Sequence, residues 1–414
     1  MPLTPDQAKI IKATVPILAE HGNTITTRFY ANMLRENPDL NNIFSNTHQA
    51  TGHQPRALAM SLYAYASNID DLGVLAPAVE LICQKHASLH IQPEHYGVVG
   101  TYLLAAMQEV LGAALTPAVH DAWAAAYRQL ADIMIGKEAE LYGRAAGWTD
   151  WRDFRIARKQ PEADDITSFH LVPVDGKPLP AFLPGQYVSI QARVPGLEYL
   201  QARQYSLSDA PHPSHYRISV KREPGVDDGG VAHPGYVSNV LHAAKREGDI
   251  IRVSHPYGDF CFDAAAVPAA APIVLLGAGV GLTALTSILN SLVAEADTSR
   301  PISWIHAART TAARAFAPHI NHLAATRPNV RKTLFVSRPA DADVRGRDYD
   351  VAGRLELAKL DAERDLFVGD KRARYYVCGP ERFMVDVQKG LQALGVDEER
   401  VHLELFGTGG VPKA

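Results

Sequence analysis

The spacing of apolar residues changes twice along the chain, and these changes divide it into three regions. Over residues 1–147 apolar positions recur every three or four residues, which predicts helices throughout. Thr4 and Pro5 are typical of a helix start, and His21–Gly22 is expected to end this first helix. Further helices are predicted over 24–36, 52–68, 76–90, 93–112 and 117–144. The first region is therefore expected to be all-α.

The two remaining regions show strand patterns of different kinds. Residues 151–262 contain short alternating runs such as "YVSIQARV" and "YRISVKRE", separated by turn clusters, which predicts an antiparallel β-barrel. Over residues 270–414, apolar strands such as "PIVLLGA" and "ISWIHAA" alternate with helical segments, which predicts a parallel α/β sheet. We expect these three ranges to be separate domains.

Composition and charge narrow the class of protein. With 414 residues, 47% apolar and 21% charged, the chain is long enough for about two to four globular domains. A net charge of −4 gives no electrostatic footprint for nucleic acid or an anionic membrane. Three widely separated cysteines form no disulfide framework and the N-terminus lacks a signal-peptide pattern, so the cytoplasm is the expected compartment.

One uncharged run, residues 264–294, is long enough to suggest a membrane span. Prolines and glycines divide this run at several points, so it is better interpreted as a loop, a buried strand, a glycine turn and a helix. No membrane span is expected from the sequence.

Three polar side chains fall on the apolar faces of the predicted helices. His86, Tyr96 and Glu138 each stand where an apolar residue would be expected. Burying each without a partner would cost about 1–3 kcal/mol, so we expect them to hydrogen-bond to one another. A carboxylate that accepts the imidazole N–H fixes the tautomer and makes the other nitrogen a better electron donor.

Two other interpretations of His86 stay open at this level. A lone histidine on an apolar face is usually a core residue, and His86 with His90 has the spacing of a helical zinc pair. A zinc site would need a third ligand and usually the catalytic Glu of an H-E-x-x-H motif, and the sequence around His86 offers neither. His90 and His95 are expected to be exposed.

Six segments together resemble the globin domain of flavohaemoglobins, in order and in spacing: "TRFYANML", "NIFS", "HQPRALAMSLYAYASNI", "QKHASL", "PEHYGVVGTYLLAAM" and "DAWAAAYRQLADIMIGKEAELY". The resemblance implies that His86 is the proximal ligand of the iron of haem b and that Tyr96 and Glu138 are its hydrogen-bonded partners. It also implies roles around the haem for further residues: Tyr30, Gln54 and Leu58 in the distal pocket, Phe44 against the haem, and Lys85 beside the ligand. A tyrosine hydroxyl in the distal pocket can donate a hydrogen bond to bound dioxygen. Leu58 can equally serve only to limit the pocket volume.

The motif "RQYSLSD" in the second region offers an arginine, an aromatic ring and a hydroxyl within four residues. Arg203 can pair with a phosphate, Tyr205 can lie against a flat ring, and Ser206 can bond a flavin nitrogen or oxygen. With "PGQY" and "GYVSN", the motif resembles the FAD-binding barrel of the ferredoxin-reductase superfamily. The further flavin-side residues that this resemblance implies are Tyr187, Gln204, Val237 and Ser238.

The third region carries a strand, a glycine turn and a helix in "PIVLLGAGVGLTALTSIL", where backbone N–H groups can approach a pyrophosphate. The same superfamily places a C-G-P segment near the nicotinamide, and the terminal "LELFGTGG" resembles a segment that closes over the flavin. The expected cofactor-binding residues are Gly277, Gly279, Val280, Gly281, Leu282, Thr283, Cys378, Gly379, Pro380, Leu405, Phe406, Gly407 and Thr408. Ala284 and Thr408 stand where the family pattern usually has proline, which is expected to loosen nucleotide affinity without removing function.

The resemblance implies a nitric oxide dioxygenase: NAD(P)H reduces FAD, FAD reduces haem, and ferrous haem with bound O2 converts nitric oxide to nitrate. The alternatives are a flavin-dependent NAD(P)H reductase of ferric iron, quinone or peroxide, and a haem-based sensor of O2 or nitric oxide. NADH and NADPH are both compatible with the motifs, although Arg309 hints at a 2′-phosphate partner. A lipid in the distal pocket is also compatible, and a monomer is expected.

Overall fold

The computed structural model of this chain describes residues 2–228, 231–233, 235–294 and 299–407. The first region is all-α, as predicted. Thr4 caps the first helix by accepting a hydrogen bond from the Gln7 amide, and Gln7 returns a bond to the Thr4 amide. The helices of this region are α1 Pro5–Ala13, α2 Val15–Glu36, α3 Asn46–Ala50, α4 His53–Ser67, α5 Ala76–Ser88, α6 Pro93–Leu111 and α7 Pro117–Arg144.

The prediction that the first helix ends at His21–Gly22 is wrong. The break comes earlier, at Thr14, because Pro16 has no amide hydrogen to continue the ladder of α1. Gly22 lies inside α2, where a Cβ would meet the Cβ of Ala59 on α4 at 3.5 Å. The glycine therefore serves the close packing of α2 on α4 rather than a helix end.

The prediction that His90 and His95 are exposed is also wrong. His90 is buried at a positive φ of 59°, just after α5 ends, and its ring lies 4.9 Å from the Trp151 ring in an edge contact. His95 is half-buried, and its Nδ1 accepts a hydrogen bond from the Gln92 amide at the start of α6. Trp151 belongs to the next region. The burial of His90 therefore cannot be predicted from the residue pattern around His90 alone.

The second region is an antiparallel sheet of six strands in the order β4-β3-β8-β1-β2-β5. Alternating side chains fill its interior, as the sequence pattern predicted. A short helix α8 Tyr236–Asn239 and a π-helical turn precede β8, and a two-stranded ribbon of β6 and β7 lies beside the sheet. The strands are β1 Arg152–Pro161, β2 Ile166–Pro173, β3 Tyr187–Ala192, β4 Gln201–Ser206, β5 Tyr216–Lys221, β6 Val226–Asp228, β7 Val231–His233 and β8 Ile250–Val253.

The third region is a parallel six-stranded sheet in the order β12-β11-β10-β9-β13-β14, with helices between the strands. The uncharged run has the predicted form, because β9 and α9 are both buried and a glycine turn joins them. The elements are β9 Ile273–Ala278, α9 Leu282–Ala294, β10 Ile302–Ala308, α10 Ala317–Thr326, β11 Val330–Val336, β12 Val351–Ala352, β13 Arg374–Cys378, α11 Glu381–Ala393 and β14 Val401–Glu404.

One helical segment among the described residues, Pro93–Ala114, is apolar and long enough to cross a membrane by those two criteria alone. Most of this segment is α6, whose Leu103 and Met107 are buried in the helical core. A core helix of a globular protein passes the same test, so length and composition alone do not identify a membrane span.

The helical region and the barrel share a buried apolar cluster. Tyr187 and Tyr257 of the barrel pack with Cys83 and Ala87 of α5 and Met134 of α7. The docking of the two regions therefore involves the helix that carries His86.

Candidate functional site

The three polar side chains from the helical stripes meet, as predicted. His86 on α5 lies with Nδ1 2.8 Å from Glu138 Oε1, and the Tyr96 hydroxyl donates to the same oxygen at 2.6 Å. The Tyr96 oxygen is also 3.1 Å from His86 Nδ1. Glu138 is only 2% exposed, so this carboxylate is held by its two partners rather than by water.

This arrangement leaves one imidazole nitrogen for a ligand. Since Glu138 accepts at Nδ1, the hydrogen sits there and the lone pair sits on Nε2. Nε2 has no hydrogen-bond partner within the described ranges, and the His86 side chain is 32% exposed. A neutral imidazole with one nitrogen oriented by a carboxylate and the other open is the donor that haem iron takes. The residues present therefore fit a haem.

The zinc hypothesis finds no support in the structure. No group of three or more His, Cys, Asp or Glu side chains that could hold a metal ion occurs among the described residues. His90, the second member of the helical pair, is buried against Trp151 beyond the end of α5.

The side chains predicted for the distal pocket also come together. Tyr30 on α2 is 6% exposed, and Gln54 on α4 donates to its hydroxyl through Nε2 at 3.3 Å. The Phe44 ring stands edge-on to the Tyr30 ring with centroids 5.5 Å apart. Leu58 lies one helical turn after Gln54 and is half-buried against the helical core.

Burial raises the pKa of Tyr30 to about 12, opposed in part by the hydrogen bond from Gln54. The hydroxyl therefore keeps its hydrogen at neutral pH and can donate it. Burial likewise raises the pKa of Tyr96, and the neighbouring Glu138 carboxylate adds to the effect. Both tyrosines are neutral donors.

The flavin-side residues line a partly buried strand, β4. Burial lowers the pKa of Arg203, whose guanidinium forms no ion pair within the described ranges and bonds only the neighbouring Ala202 carbonyl. Tyr205 is half-buried, Gln204 is exposed, and Ser206 is buried at the end of the strand. A cation that has no protein carboxylate beside it suits a phosphate, so the strand fits a flavin nucleotide.

Tyr187 on β3 has a buried hydroxyl near Ser88; burial raises its pKa and the Ser88 hydroxyl opposes that rise. It has no hydrogen bond of good geometry inside the described part of the chain, which leaves it able to bond a polar group of a cofactor. The side chains of two other flavin-side residues are already engaged. Val237 is buried in the barrel core, and the Ser238 hydroxyl donates to the Gly235 carbonyl and accepts from the Glu223 amide. Their backbone groups are the more accessible contacts for a cofactor, although the Ser238 hydroxyl can still accept one further hydrogen bond.

The glycine turn and the C-G-P segment lie against each other. Gly277 on β9 pairs with Cys378 on β13, and a Cβ on Gly281 would meet the Cys378 carbonyl oxygen, so only glycine fits there. Gly279 has a φ of 56°, which also favours glycine. The remaining predicted residues of this part lie on the turn, at the start of α9 or just after β13: Val280, Leu282, Thr283, Gly379 and Pro380.

Most side chains of the glycine turn and the C-G-P segment are buried or bonded within the protein. Leu282 and Cys378 are both buried in the core of the third region, and Thr283 Oγ1 donates to the Val280 carbonyl at 3.0 Å. The backbone of the turn is therefore the surface available to a pyrophosphate.

The C-terminal segment returns to the haem side. Lys85 Nζ donates to the Gly407 carbonyl at 2.5 Å, and Phe406 is 45% exposed, so its ring is accessible to a bound cofactor. Leu405 packs on the α/β core. Thr408 lies outside the described residues.

Sequence reasoning missed Glu404, the last residue of β14. Burial and the Asp259 carboxylate raise its pKa to about 8, and Lys85 opposes that shift. Its signal was a charged residue inside the apolar "LELF" strand, directly before the predicted flavin segment. Gln84 and Ser88, which bond the barrel from α5, were also missed, because a helix pattern does not show which domain will dock on it.

Comparison with known proteins agrees with this geometry. The Globin family matches residues 27–134, and the oxidoreductase NAD-binding domain family matches residues 275–389. A "Flavohemoprotein" of Bordetella parapertussis is 50% identical over 414 residues, covering 99% of this chain and 100% of the relative. The chain belongs to the flavohemoprotein family. A "Flavohemoprotein" of Rhizobium meliloti is 45% identical and covers 98% of both chains.

Solved structures give the same picture. A flavohemoglobin from Malassezia yamatoensis, with bound FAD and heme, aligns at a TM-score of 0.85 and 28% identity over 98% of this chain and all of that one. The flavohem-like FAD/NAD binding domain of nitric oxide dioxygenase from Vibrio cholerae aligns at a TM-score of 0.54 and 36% identity, covering 62% of this flavohemoprotein and 99% of that chain. The predicted family and fold are thereby confirmed: a globin region, an antiparallel barrel and an NAD-binding α/β region.

Proposed function

We propose that this flavohemoprotein is a nitric oxide dioxygenase that uses haem b, FAD and NAD(P)H to convert nitric oxide to nitrate. The observation that carries the proposal is the His86–Glu138 contact of 2.8 Å beside an imidazole Nε2 without a partner in the described ranges. When bound, NAD(P)H supplies hydride, FAD divides it into single electrons, and haem supplies iron chemistry with O2. The Vibrio cholerae protein named above supports the choice of reaction.

On the proximal side, Glu138 keeps the His86 hydrogen on Nδ1 and directs electron density toward Nε2. Tyr96 donates to the same carboxylate oxygen, so a shift of the Glu138 side chain would cost two hydrogen bonds. Electron density that Glu138 directs through His86 toward a bound iron would favour the activation of oxygen over its reversible storage.

On the distal side, Tyr30 and Gln54 would offer hydrogen-bond donors to O2 when haem is bound, and Leu58 and Phe44 would keep the surroundings apolar. Because the Tyr30 hydroxyl is neutral, it can stabilise negative charge that develops on the ligand. Nitric oxide can enter the same apolar space.

On the electron-supplying side, Arg203 would hold the FAD phosphate, Tyr205 and Tyr187 would contact the flavin, and the Gly277–Gly281 turn would receive the NAD(P)H pyrophosphate. The domain limits that we propose are 1–147 for the globin, 151–262 for the FAD barrel and 270–414 for the NAD(P) domain. We further propose a cytoplasmic monomer with O2 and nitric oxide as its small-molecule partners.

The test is an absorbance spectrum of the purified, haem-supplemented protein, followed by nitric oxide consumption on addition of NADH in air. We expect haem and flavin bands together, consumption that needs both NADH and O2, and nitrate as product. A flavin-only spectrum would reject the haem assignment. Rapid NADH oxidation with ferric iron or quinone but no loss of nitric oxide would favour the reductase alternative.

A further inference from the structure

A chain of hydrogen bonds fastens the helix that carries His86 to the flavin-side barrel. Gln204 Nε2 donates to Ser189 Oγ at 3.4 Å, and Ser189 Oγ donates to Ser88 Oγ at 2.9 Å. Ser88 Oγ in turn donates to the Lys85 carbonyl at 2.8 Å. Each serine hydroxyl therefore both accepts and donates. We call Gln204, Ser189 and Ser88 the serine chain.

The middle of the serine chain lies in a dry interface. Ser88 and Ser189 are both 0% exposed, and the apolar cluster of Tyr187, Tyr257 and Ala87 lies in the same contact between the regions. A buried hydroxyl that loses its partner cannot turn to water, so its desolvation stays uncompensated. The contact therefore specifies one relative position of the two regions, whereas apolar packing alone tolerates sliding.

The serine chain connects α5, which carries the proposed haem ligand, with the strands that carry the flavin motif. In the proposed function, electrons pass between these two parts of the molecule. Ser88 follows His86 by two residues on α5, and Ser189 on β3 is the direct cross-strand partner of Gln204 in the flavin motif. A second point of attachment lies one turn earlier on α5, where Gln84 Oε1 accepts from the Gly258 amide at 2.9 Å. Both attachments lie on the same face of α5.

We propose that Ser88 and Ser189 are positioning residues for electron transfer from flavin to haem, since their hydrogen bond fixes the His86 helix against the flavin strand. The inference rests on the proposed function for the presence of both cofactors. It does not depend on nitric oxide as the substrate. Transfer slows when donor and acceptor move apart, so the docking geometry sets the rate.

The experiment uses the loaded full-length protein without oxygen or nitric oxide. NADH is mixed rapidly with wild type, Ser88→Ala, Ser189→Ala and the double variant, and flavin and haem reduction are followed separately. We expect flavin reduction to be unchanged and flavin-to-haem transfer to slow by up to about tenfold. The loss of one buried hydrogen bond weakens the docking equilibrium by up to that factor, and only docked molecules transfer electrons. The double variant should slow transfer by less than the product of the two single effects, because the bond between the two hydroxyls is lost in either single variant.

Ser168→Ala is the matched control. Ser168 Oγ lies 2.7 Å from Ser219 Oγ, fully buried inside the barrel and away from α5, so its loss costs the same kind of bond without touching the docking. Transfer in this variant should match wild type. Equal slowing in Ser168→Ala and Ser88→Ala would overturn the proposal, because general loosening of the barrel would then explain both.

Amide hydrogen exchange gives a second readout that needs no turnover. Removing the Ser88 hydroxyl should increase exchange in β3, and removing the Ser189 hydroxyl should increase exchange at the end of α5. Unchanged exchange across the contact together with an unchanged transfer rate would overturn the inference. A protein that transfers electrons as expected but consumes no nitric oxide would refute the proposed function and leave this inference standing.

Discussion

The two sides of the proposed haem pocket bury polar groups in different ways. On the proximal side, His86 and Tyr96 both bond one Glu138 oxygen at 2.6–2.8 Å, so three side chains from three helices hold each other. On the distal side, Tyr30 receives one longer contact of 3.3 Å from Gln54. Charged, short hydrogen bonds are roughly twice as strong as neutral ones.

This difference in hydrogen bonding agrees with the different tasks proposed for the two sides. A ligand atom on the proximal side must stay in one place, so it is held by a closed network around a buried carboxylate. The distal groups must meet small molecules that come and go, so a single adjustable donor pair among apolar neighbours is enough. The proximal side should therefore respond sharply to the loss of one group, and the distal side mildly.

Glu138→Gln should give the largest effect. The amide cannot match the carboxylate as an acceptor for two donors, so the His86 tautomer is no longer fixed and Nε2 becomes a weaker donor. We expect haem affinity or nitric oxide turnover to fall by about 10–100-fold. The measurement is haem titration and turnover of the purified variant.

The matched control for that change is Glu140→Gln, two residues further along α7, where the side chain is exposed. It should behave as wild type. Equal losses in both variants would show that the charge of α7, and not the contact with His86, matters.

Tyr30→Phe should give the next largest effect. Removing the hydroxyl takes away the proposed donor to the bound ligand and leaves the ring in place, so O2 should dissociate about five- to tenfold faster. Flash photolysis or stopped-flow mixing measures this rate. Tyr63→Phe, at an exposed tyrosine of α4, is the control. An O2 dissociation rate equal to wild type would remove Tyr30 from the distal pocket.

The pH dependence of stability should reveal Glu404 on the proximal side. Its folded pKa of about 8 lies above the ordinary value of 4.5, so the folded protein holds a proton that the unfolded chain releases. The stabilisation is therefore complete below pH 4.5 and is lost as the pH rises through about 8. Between pH 5 and 9 the unfolding midpoint should therefore fall as the pH rises, as followed by thermal melting.

Glu404→Gln should remove this slope, because the amide does not titrate. Glu399→Gln, at an exposed position, should keep it. A slope that persists unchanged in Glu404→Gln would assign the pH dependence to another group.

Leu58→Ala should give the smallest effect on ligand binding. It distinguishes a functional role of Leu58 in the distal pocket from a role that only limits the pocket volume. If Leu58 only limits the pocket volume, ligand binding should change less than about threefold and unfolding should cost roughly half of the 2–5 kcal/mol typical of a core leucine. Leu62→Ala, buried one turn further along α4, provides the full core value. A tenfold change in O2 binding at Leu58 with no such change at Leu62 would give Leu58 a functional role.

Local patterns predicted most of the fold, since alternation and helical spacing report directly on which face is buried. The failures have one cause in common. The pattern predicts a helix stop at Gly22 because the packing of α2 on Ala59 is not visible in sequence. It predicts an exposed His90 because Trp151 lies in another region. Contacts between elements override local signals.

The residues of the candidate site likewise fall into those that local patterns predict and those that they do not. The meeting of His86, Tyr96 and Glu138 could be predicted from polar residues on apolar faces, because buried polar groups need partners. The role of Tyr30 is implied only by the resemblance, since a core tyrosine has the same pattern. The phosphate role of Arg203 is compatible with its residue type, but a surface arginine has the same pattern and only the resemblance favours that role. Glu404 was missed because its burial results from the assembly of β14 with the barrel and α5, which only the structure shows.

The most direct measurement is the absorbance spectrum of His86→Gly with added haem, recorded before and after addition of imidazole. If His86 Nε2 is the iron ligand, the variant should lose the haem band, recover it when imidazole fills the space, and keep flavin reduction by NAD(P)H throughout. His120→Ala, at a histidine near the surface of α7, should bind haem normally without imidazole. A His86→Gly protein that keeps the wild-type haem band unaided would contradict the assignment of His86 as the ligand.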